Sequence, residues 1–238
     1  MNIGKLTILN PELWWPKSQG KQSMYDIEVK LLLKNGHTQT TSVKVGLRKL
    51  EFIKSPFHFL INDVPIYMKG ASQLPMDYYP DRMLNDHEVE WLIDSAIASN
   101  FNLIRIWGGG AYMSDKFYQL ADAKGIMVWQ EMMFSGQYYP VVDDKFLQNA
   151  LVEVREQAGR LQHHACIIYW VLNNDATMSL EREQKSPYFQ SLSKKAQAEA
   201  TLKIQEHIEG YMQNYRVFYN TQLTGVMKNA GISVDKHF

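Results

Sequence analysis

Cysteine is almost missing from this chain. Cys166 is the one thiol in 238 residues, so no internal disulfide staples the fold and no Cys/His spacing marks a structural zinc. An excess of either charge is missing too. With 25 Lys and Arg against 25 Asp and Glu and a pI of about 7.1, the chain carries no basic footprint for nucleic acid, and no local Lys/Arg cluster supplies one. No apolar run reaches the roughly 18 residues of a membrane span, and the opening Met1-Asn2-Ile3-Gly4-Lys5-Leu6-Thr7 lacks the charged-then-apolar layout of a secretion signal. Asn-x-Ser/Thr acceptors, low-complexity tracts and sequence repeats are also absent. What remains is a composition of 45% hydrophobic and 12% aromatic residues, enough core for one large domain or two small ones.

The first fifty or so residues alternate as strands do. Met24 to Leu33 places Tyr25, Ile27, Val29 and Leu31 on one face, and Asn35-Gly36 supplies tight-turn chemistry. Thr40 to Ile53 is expected to continue as a strand through Val43, Val45 and Leu47, giving a small antiparallel sheet. Phe57 to Ile61, Asn62-Asp63 and Val64 to Met68 read as a further hairpin. After it, four units repeat one layout: an apolar strand, polar or glycine-rich residues at its exit, and an amphipathic helix.

The strands are expected at Ile66–Ala71, Leu103–Trp107, Ile126–Gln130 and Cys166–Val171. Helices are expected from Asp86 to Phe101, from a Ser114-Asp115 cap to Gly125, from about Asp143 to Leu161, and later from about Lys194 to Asn220. This is βα organisation, hence a parallel sheet.

Parallel α/β folds place their chemistry at the carboxyl ends of the strands. The four exits offer Ser72, Gln73 and Asp77; Trp107 and Gly108-Gly109-Gly110; Trp129, Gln130 and Glu131; and Trp170, Asn173, Asn174 and Asp175. Indole faces, amides and carboxylates together suit a pyranose, whose C–H face stacks on aromatics while its hydroxyls take hydrogen bonds. Each feature has a plainer reading. Tryptophans in strands pack cores, the glycines permit close backbone approach, and Asp175 suits a helix cap. Met113 stands where a dinucleotide fingerprint needs its third glycine, which disfavours a doubly wound nucleotide-binding domain. His163-His164 resembles a metal pair, but adjacent residues point apart and no third ligand presents itself, so packing is expected.

Asn10-Pro11-Glu12-Leu13-Trp14-Trp15-Pro16, Val45 to Glu51, Lys69-Gly70-Ala71, Arg105 to Gly110, Phe117 to Asp122, Gly125 to Gln130, Tyr139-Pro140 and Trp170 to Asn174 closely resemble the β-mannosidases of glycoside hydrolase family 2. Order and spacing agree over about residues 9 to 180. The resemblance implies an α/β fold: a partial TIM (β/α)8 barrel of about four βα units, preceded by the end of an immunoglobulin-like β-sandwich domain. Residues 1–53 would close the β domain, 54–184 would form the first half of the barrel, and 185–238 would be a divergent helical tail. It further implies a truncated fragment or isoform of an enzyme that removes terminal β-linked mannose from oligosaccharides with retention of configuration. A lysosomal location, a mannose-containing oligosaccharide as partner and no metal or organic cofactor also follow from the resemblance.

Retaining glycosidases use an acid/base carboxyl and a nucleophilic carboxylate about 5 to 5.5 Å apart. By the resemblance, the acid/base position is Asp175, where the family has glutamate, and substrate contacts are Asp77, Arg105, Trp107, Trp129, Asn173 and Asn174. Arg105 suits a buried pairing equally well. No glutamate among Glu181, Glu183, Glu199, Glu206 and Glu209 lies at a strand exit, so no nucleophile is carried over. The family also has tryptophan at Gln73, aspartate at Glu131, cysteine at Gly136, and an acidic pair at Ala176-Thr177. The alternative is therefore a catalytically inactive isoform or a residual carbohydrate-binding protein.

Overall fold

The computed structural model describes residues 6–77, 79, 82, 85–137, 139–175 and 185–232, with the side chains of 203–209 excepted. Strands β1 (Tyr25–Leu32) and β2 (Thr38–Val45) pair antiparallel, with Tyr25 opposite Val45 and Leu32 opposite Thr38. Tyr25, Ile27 and Val29 are half-buried while Asp26, Glu28 and Lys30 are exposed, as a two-residue period requires. Gly36 closes the hairpin at φ +82, a backbone region that glycine adopts without steric cost.

The strand expected through Ile53 is broken after Val45. Tertiary contacts claim the intervening residues. Gly46 is pressed so closely on the neighbouring chain that a Cβ there would lie 2.6 Å from the Ala165 Cβ. Leu47 gives its carbonyl to the Trp14 amide at 2.8 Å, and the Arg48 guanidinium donates to the Ile167 carbonyl. A second, three-stranded antiparallel sheet follows, made of β3 (Leu50–Lys54), β4 (Phe57–Ile61) and β5 (Val64–Ile66). Its Asn62-Asp63 turn has φ of 52 and 68, the left-handed pair of a two-residue hairpin. The β3–β4 hairpin spans the boundary expected at residue 53.

The main sheet is parallel and runs in chain order: β6 (Gly70–Gln73), β7 (Leu103–Ile106), β8 (Met127–Glu131) and β9 (Ile167–Val171). The first of these starts four residues later than expected, because Ile66 is already paired with Phe59 in β5. Asn102 then steers the link, accepting from the Lys69 amide at 2.7 Å and donating to the Tyr67 carbonyl at 2.9 Å. Ser72 and Gln73 consequently sit within a strand, not beyond one.

Helices α1 (Asp86–Ala98), α2 (Asp115–Lys124) and α3 (Asp144–Leu161) join successive strands. Asn85 caps α1 by accepting from the Glu88 amide at 2.9 Å, and Asp143 caps α3 through the Phe146 amide at 2.7 Å. Ser114 occupies the cap position of α2, yet its hydroxyl makes no capping bond and is buried without a partner. Val89, Ile93 and Ala96 of α1, Phe117, Tyr118 and Ala121 of α2, and Ala150, Val154, Ala158 and Leu161 of α3 are buried.

Beyond residue 185 the chain is helical: α4 (Pro187–Ser191), α5 (Lys194–Val217), a π-helical segment at Phe218–Leu223, and α6 (Thr224–Asn229). The helix expected to end at Asn220 runs on, because widening it by a π segment brings both Phe218 and Tyr219 inward. Phe218 lies 5.5 Å and Tyr219 5.8 Å, ring to ring, from Phe134.

The amino ends of the strands converge on Asp122 of α2. One carboxylate oxygen accepts from the Cys166 amide at 2.8 Å and the other meets Nδ1 of His164 at 2.6 Å. The Asp122 carbonyl takes the Trp14 indole N–H at 2.8 Å, so the same residue ties the entering segment, α2 and β9 together. Replacing Asp122 by Ala leaves a buried imidazole and a buried amide unpaired, and is expected to lower the unfolding free energy by about 3 kcal/mol. Urea denaturation checks this; a loss below about 1 kcal/mol would contradict the clamp.

Candidate functional site

At the opposite, carboxyl end of the sheet, three strands are crossed by one polar ladder. In the β7–β8 register Arg105 stands opposite Trp129, so Glu131, two residues on, shares that face. The Arg105 Nε and Nη2 lie 2.8 and 2.7 Å from Glu131 Oε1, and its Nη1 donates to Ser72 Oγ of β6 at 3.1 Å. The second Glu131 oxygen accepts from the Gly108 amide at 2.8 Å. Glu131 is 2% exposed. Burial pushes its carboxyl pKa up, while the Gly108 amide and the Arg105 guanidinium pull it back. The Trp129 indole N–H is buried beside this carboxylate without a regular hydrogen bond, and its ring lies 4.6 Å from Tyr169.

The glycine triplet serves close approach. Gly108 carries the amide that reaches Glu131, and a Cβ on Gly109 would fall 2.1 Å from the Trp107 ring. The backbone therefore lies flat against the indole. Trp107 Nε1 in turn donates to the Asn174 side-chain oxygen at 2.7 Å, and Ser135 Oγ reaches the same oxygen at 3.3 Å. The exit loops of β8 and β9 are also joined by backbone bonds, Asn174 N to Phe134 O at 2.8 Å and Gly136 N to Asn174 O at 2.9 Å. The Asn173 side chain lies within hydrogen-bonding reach of the Tyr215 hydroxyl of α5.

The expected site residues divide accordingly. Arg105, Trp107, Trp129, Asn173 and Asn174 come together across β7, β8 and β9. Asp77 does not join them, being held in its own loop by the Tyr79 amide and the Arg82 guanidinium, both at 3.0 Å. Asp175 is exposed, with a left-handed φ of 49. Of the late glutamates, Glu181 and Glu183 and the side chains of Glu206 and Glu209 lie outside the described residues, as do Ala176 and Thr177.

The crevice beside Trp107, lined by Gln73, Pro75, Ile106 and Met113, encloses only about 10 Å³. A far larger cavity, about 690 Å³, lies away from the strand exits, between β1–β2 and α2.

The structure corrects one expectation about metal chemistry. His164 does have further ligating groups nearby, since one donor atom each from Asp122, His164 and Cys166 lie within 4.8 Å of one another. They are spent on each other: both Asp122 oxygens are hydrogen-bonded, and burial together with the Asp122 charge pushes the Cys166 thiol pKa well up. In this arrangement Asp122 bonds both His164 and Cys166, tying α2 to the start of β9. Glu131 was legible in sequence as a strand-exit carboxylate, but its pairing with Arg105 and the Gly108 amide was not; Ser135 gave no signal.

Comparison with known proteins bears on this arrangement. The chain is 38% identical over 188 residues to the β-mannosidase of Capra hircus, covering 76% of this chain and 21% of that protein. It is 36% identical over 176 residues to the probable β-mannosidase of Caenorhabditis elegans. The family of glycosyl hydrolases family 2 matches residues 1–48. This chain is related to the β-mannosidases of that family. A solved β-D-mannosidase from Dictyoglomus thermophilum superposes with a TM-score of 0.66 at 36% identity, over 71% of this chain and 22% of that one. The fold alone is shared with Bacteroides uniformis β-glucuronidase 2, at 19% identity and a TM-score of 0.73 over 94% of this chain. The β-mannosidase-related chain thus spans about a fifth of the length of the curated relatives it matches.

The polar ladder gives a pH signature. Because the folded carboxyl of Glu131 titrates above its unfolded value, the folded state holds the proton longer. Its contribution therefore makes stability fall as pH rises from the ordinary carboxylate range through the raised value. Glu131→Gln is expected to remove that fall in stability above the ordinary carboxylate range, and to cost roughly 2 kcal/mol by depriving Arg105 of its counter-charge. Urea midpoints measured at and above that range check both; an unchanged profile would contradict the assignment.

Proposed function

We propose that the exit face is the mannose-recognition half of a retaining exo-β-mannosidase site acting on oligosaccharides, with Asp175 in the acid/base position. In this reading the four parallel strands belong to a (β/α)8 barrel, and β1–β2 belongs to an immunoglobulin-like domain before it. A lysosomal setting and glycoprotein-derived substrates go with the same reading. The observation that carries it is the 2.7 Å bond from the Trp107 indole to Asn174. It fixes the residue directly before Asp175 at the edge of an indole, which pairs an aromatic ring with an oriented amide as a pyranose requires.

The chemistry divides among named residues. Trp107 and Trp129 offer ring faces, Asn173 and Asn174 offer amide donors and acceptors, and the Arg105–Glu131 pair holds β7 and β8 in register beneath them. Asp175 would protonate the leaving oxygen. An aspartate reaches roughly 1 Å less far than the glutamate of the family, and a misplacement of that size costs on the order of a hundredfold in rate. Retaining hydrolysis also needs a second carboxylate about 5 to 5.5 Å away.

A second reading, binding without cleavage, is favoured by one observation. The other carboxylates at these strand ends among the described residues are Asp77, held by Arg82, and Glu131, held by Arg105 and the Gly108 amide. Neither is presented as a nucleophile. For this polypeptide we therefore expect mannose binding by calorimetry, no hydrolysis of an aryl β-mannoside above background, and affinity within about twofold of wild type in Asp175→Ala. Turnover that vanishes in Asp175→Ala would overturn the non-catalytic reading. Absence of both binding and turnover would overturn the site itself.

A further inference from the structure

We propose that Ser135 is a positioning residue for this site: its hydroxyl and the Trp107 indole together fill the Asn174 side-chain oxygen, so that the Asn174 amide faces a ligand as a double N–H donor. The proposal rests on the reading of Asn174 as a sugar contact. Which way an asparagine amide points follows from its partners. An indole nitrogen only donates, so the Asn174 atom 2.7 Å from Trp107 Nε1 is the oxygen. Ser135 Oγ lies 3.3 Å from that same oxygen. A carbonyl oxygen has no proton to give, so the serine hydroxyl donates to it. A carbonyl carries two lone pairs, and both are then engaged from within the protein. What the side chain keeps for a ligand is its NH2 group, with two N–H donors in one plane.

Two coplanar donors suit an oxygen acceptor, such as a sugar hydroxyl, and offer nothing to a cationic group. Trp107 alone would hold the amide at one point; Ser135 adds the second point that fixes its plane. The serine is itself held by its backbone on both sides. Ser135 and Asn174 form a parallel bridge, carried by the bonds from Asn174 N to Phe134 O at 2.8 Å and from Gly136 N to Asn174 O at 2.9 Å. The Ser135 amide donates to the Tyr139 hydroxyl at 2.7 Å, and that hydroxyl donates back to the Ser135 carbonyl at 3.3 Å. Tyr139 is wedged between rings, Phe134 edge-on at 5.3 Å and Phe146 stacked at 5.9 Å, and its amide donates to the Tyr211 hydroxyl of α5 at 3.4 Å. The Ser135 hydroxyl therefore springs from a main chain fixed by two neighbouring elements, which is what aiming a ligand-contacting group requires.

Two variants separate positioning from packing. Ser135→Ala removes the hydroxyl and leaves the backbone bonds in place. Ser114→Ala removes a buried hydroxyl that has no hydrogen-bond partner. We expect affinity for methyl β-mannoside, read by calorimetry, to fall about fivefold in Ser135→Ala and to stay at the wild-type value in Ser114→Ala, with both variants melting near wild type. In nitrogen–proton spectra the Asn174 side-chain amide pair, identified by its loss in Asn174→Asp, shifts in Ser135→Ala alone, and both of its proton signals move when the sugar saturates the wild type. Unchanged affinity in Ser135→Ala, an equal loss in Ser114→Ala, or a bound sugar that fails to move both amide protons overturns the proposal. If wild type binds no mannoside, the glycan reading falls by itself and the free protein decides the contact: an Asn174 shift confined to Ser135→Ala upholds it, and an unmoved resonance overturns it.

Discussion

A single buried carboxylate, Asp122, sets the frame on which the rest is built. Ionised or hydrogen-bonded groups survive burial only when each is paired, and Asp122 meets that condition by reaching two other parts of the chain. Its oxygens take the Cys166 amide and the His164 ring, and its carbonyl takes the indole of the fully buried Trp14. The entering segment, α2 and β9 cannot shift against one another without opening one of these bonds. Gly46 and Arg48, packed against Ala165 and Ile167, close the same end.

The carboxyl end repeats the device with a different purpose. There Glu131 is the buried anion, paired with Arg105 and the Gly108 amide, and the groups around it are indoles and side-chain amides with unused hydrogen-bonding capacity. The aromatic wedge of Phe52 and Phe59, each within 5.5 Å of the Tyr169 ring, fills the space between the two ends. One end thus uses Asp122 to hold strands together, and in the proposed reading the other leaves indoles and amides for a ligand. That is the division expected of parallel α/β folds, in which the amino ends carry stability and the carboxyl ends carry chemistry.

Much of this was legible in the residues. The helices announced themselves by their period, although the cap expected at Ser114 makes no capping bond, and the strands β7, β8 and β9 by short apolar runs. The errors have physical causes. The strand through Leu47 and Arg48 failed because those residues serve Trp14 and Ile167, partners far away in sequence. The first parallel strand began late because Ile66 was already in use opposite Phe59. Within the site, Arg105 was read as either a sugar contact or a buried pair; it is bonded to Glu131 and Ser72 and its side chain stays partly exposed. Tyr211 of α5 carried no warning, since its bond to the Tyr139 amide depends on which loop the helix lands on, and no local pattern encodes that.

The central claim is that an aromatic and amide surface, built by Trp107, Trp129, Asn173 and Asn174 and held in place by Glu131 and Asn174, receives a β-mannoside. A crystal structure of the chain with methyl β-mannoside tests it most directly. The account places the pyranose ring against Trp107 and Trp129, with hydroxyls on the Asn173 and Asn174 side chains and its anomeric oxygen toward Asp175. A sugar seated in the cavity between β1–β2 and α2, or no sugar at the strand exits of saturated crystals, would contradict it.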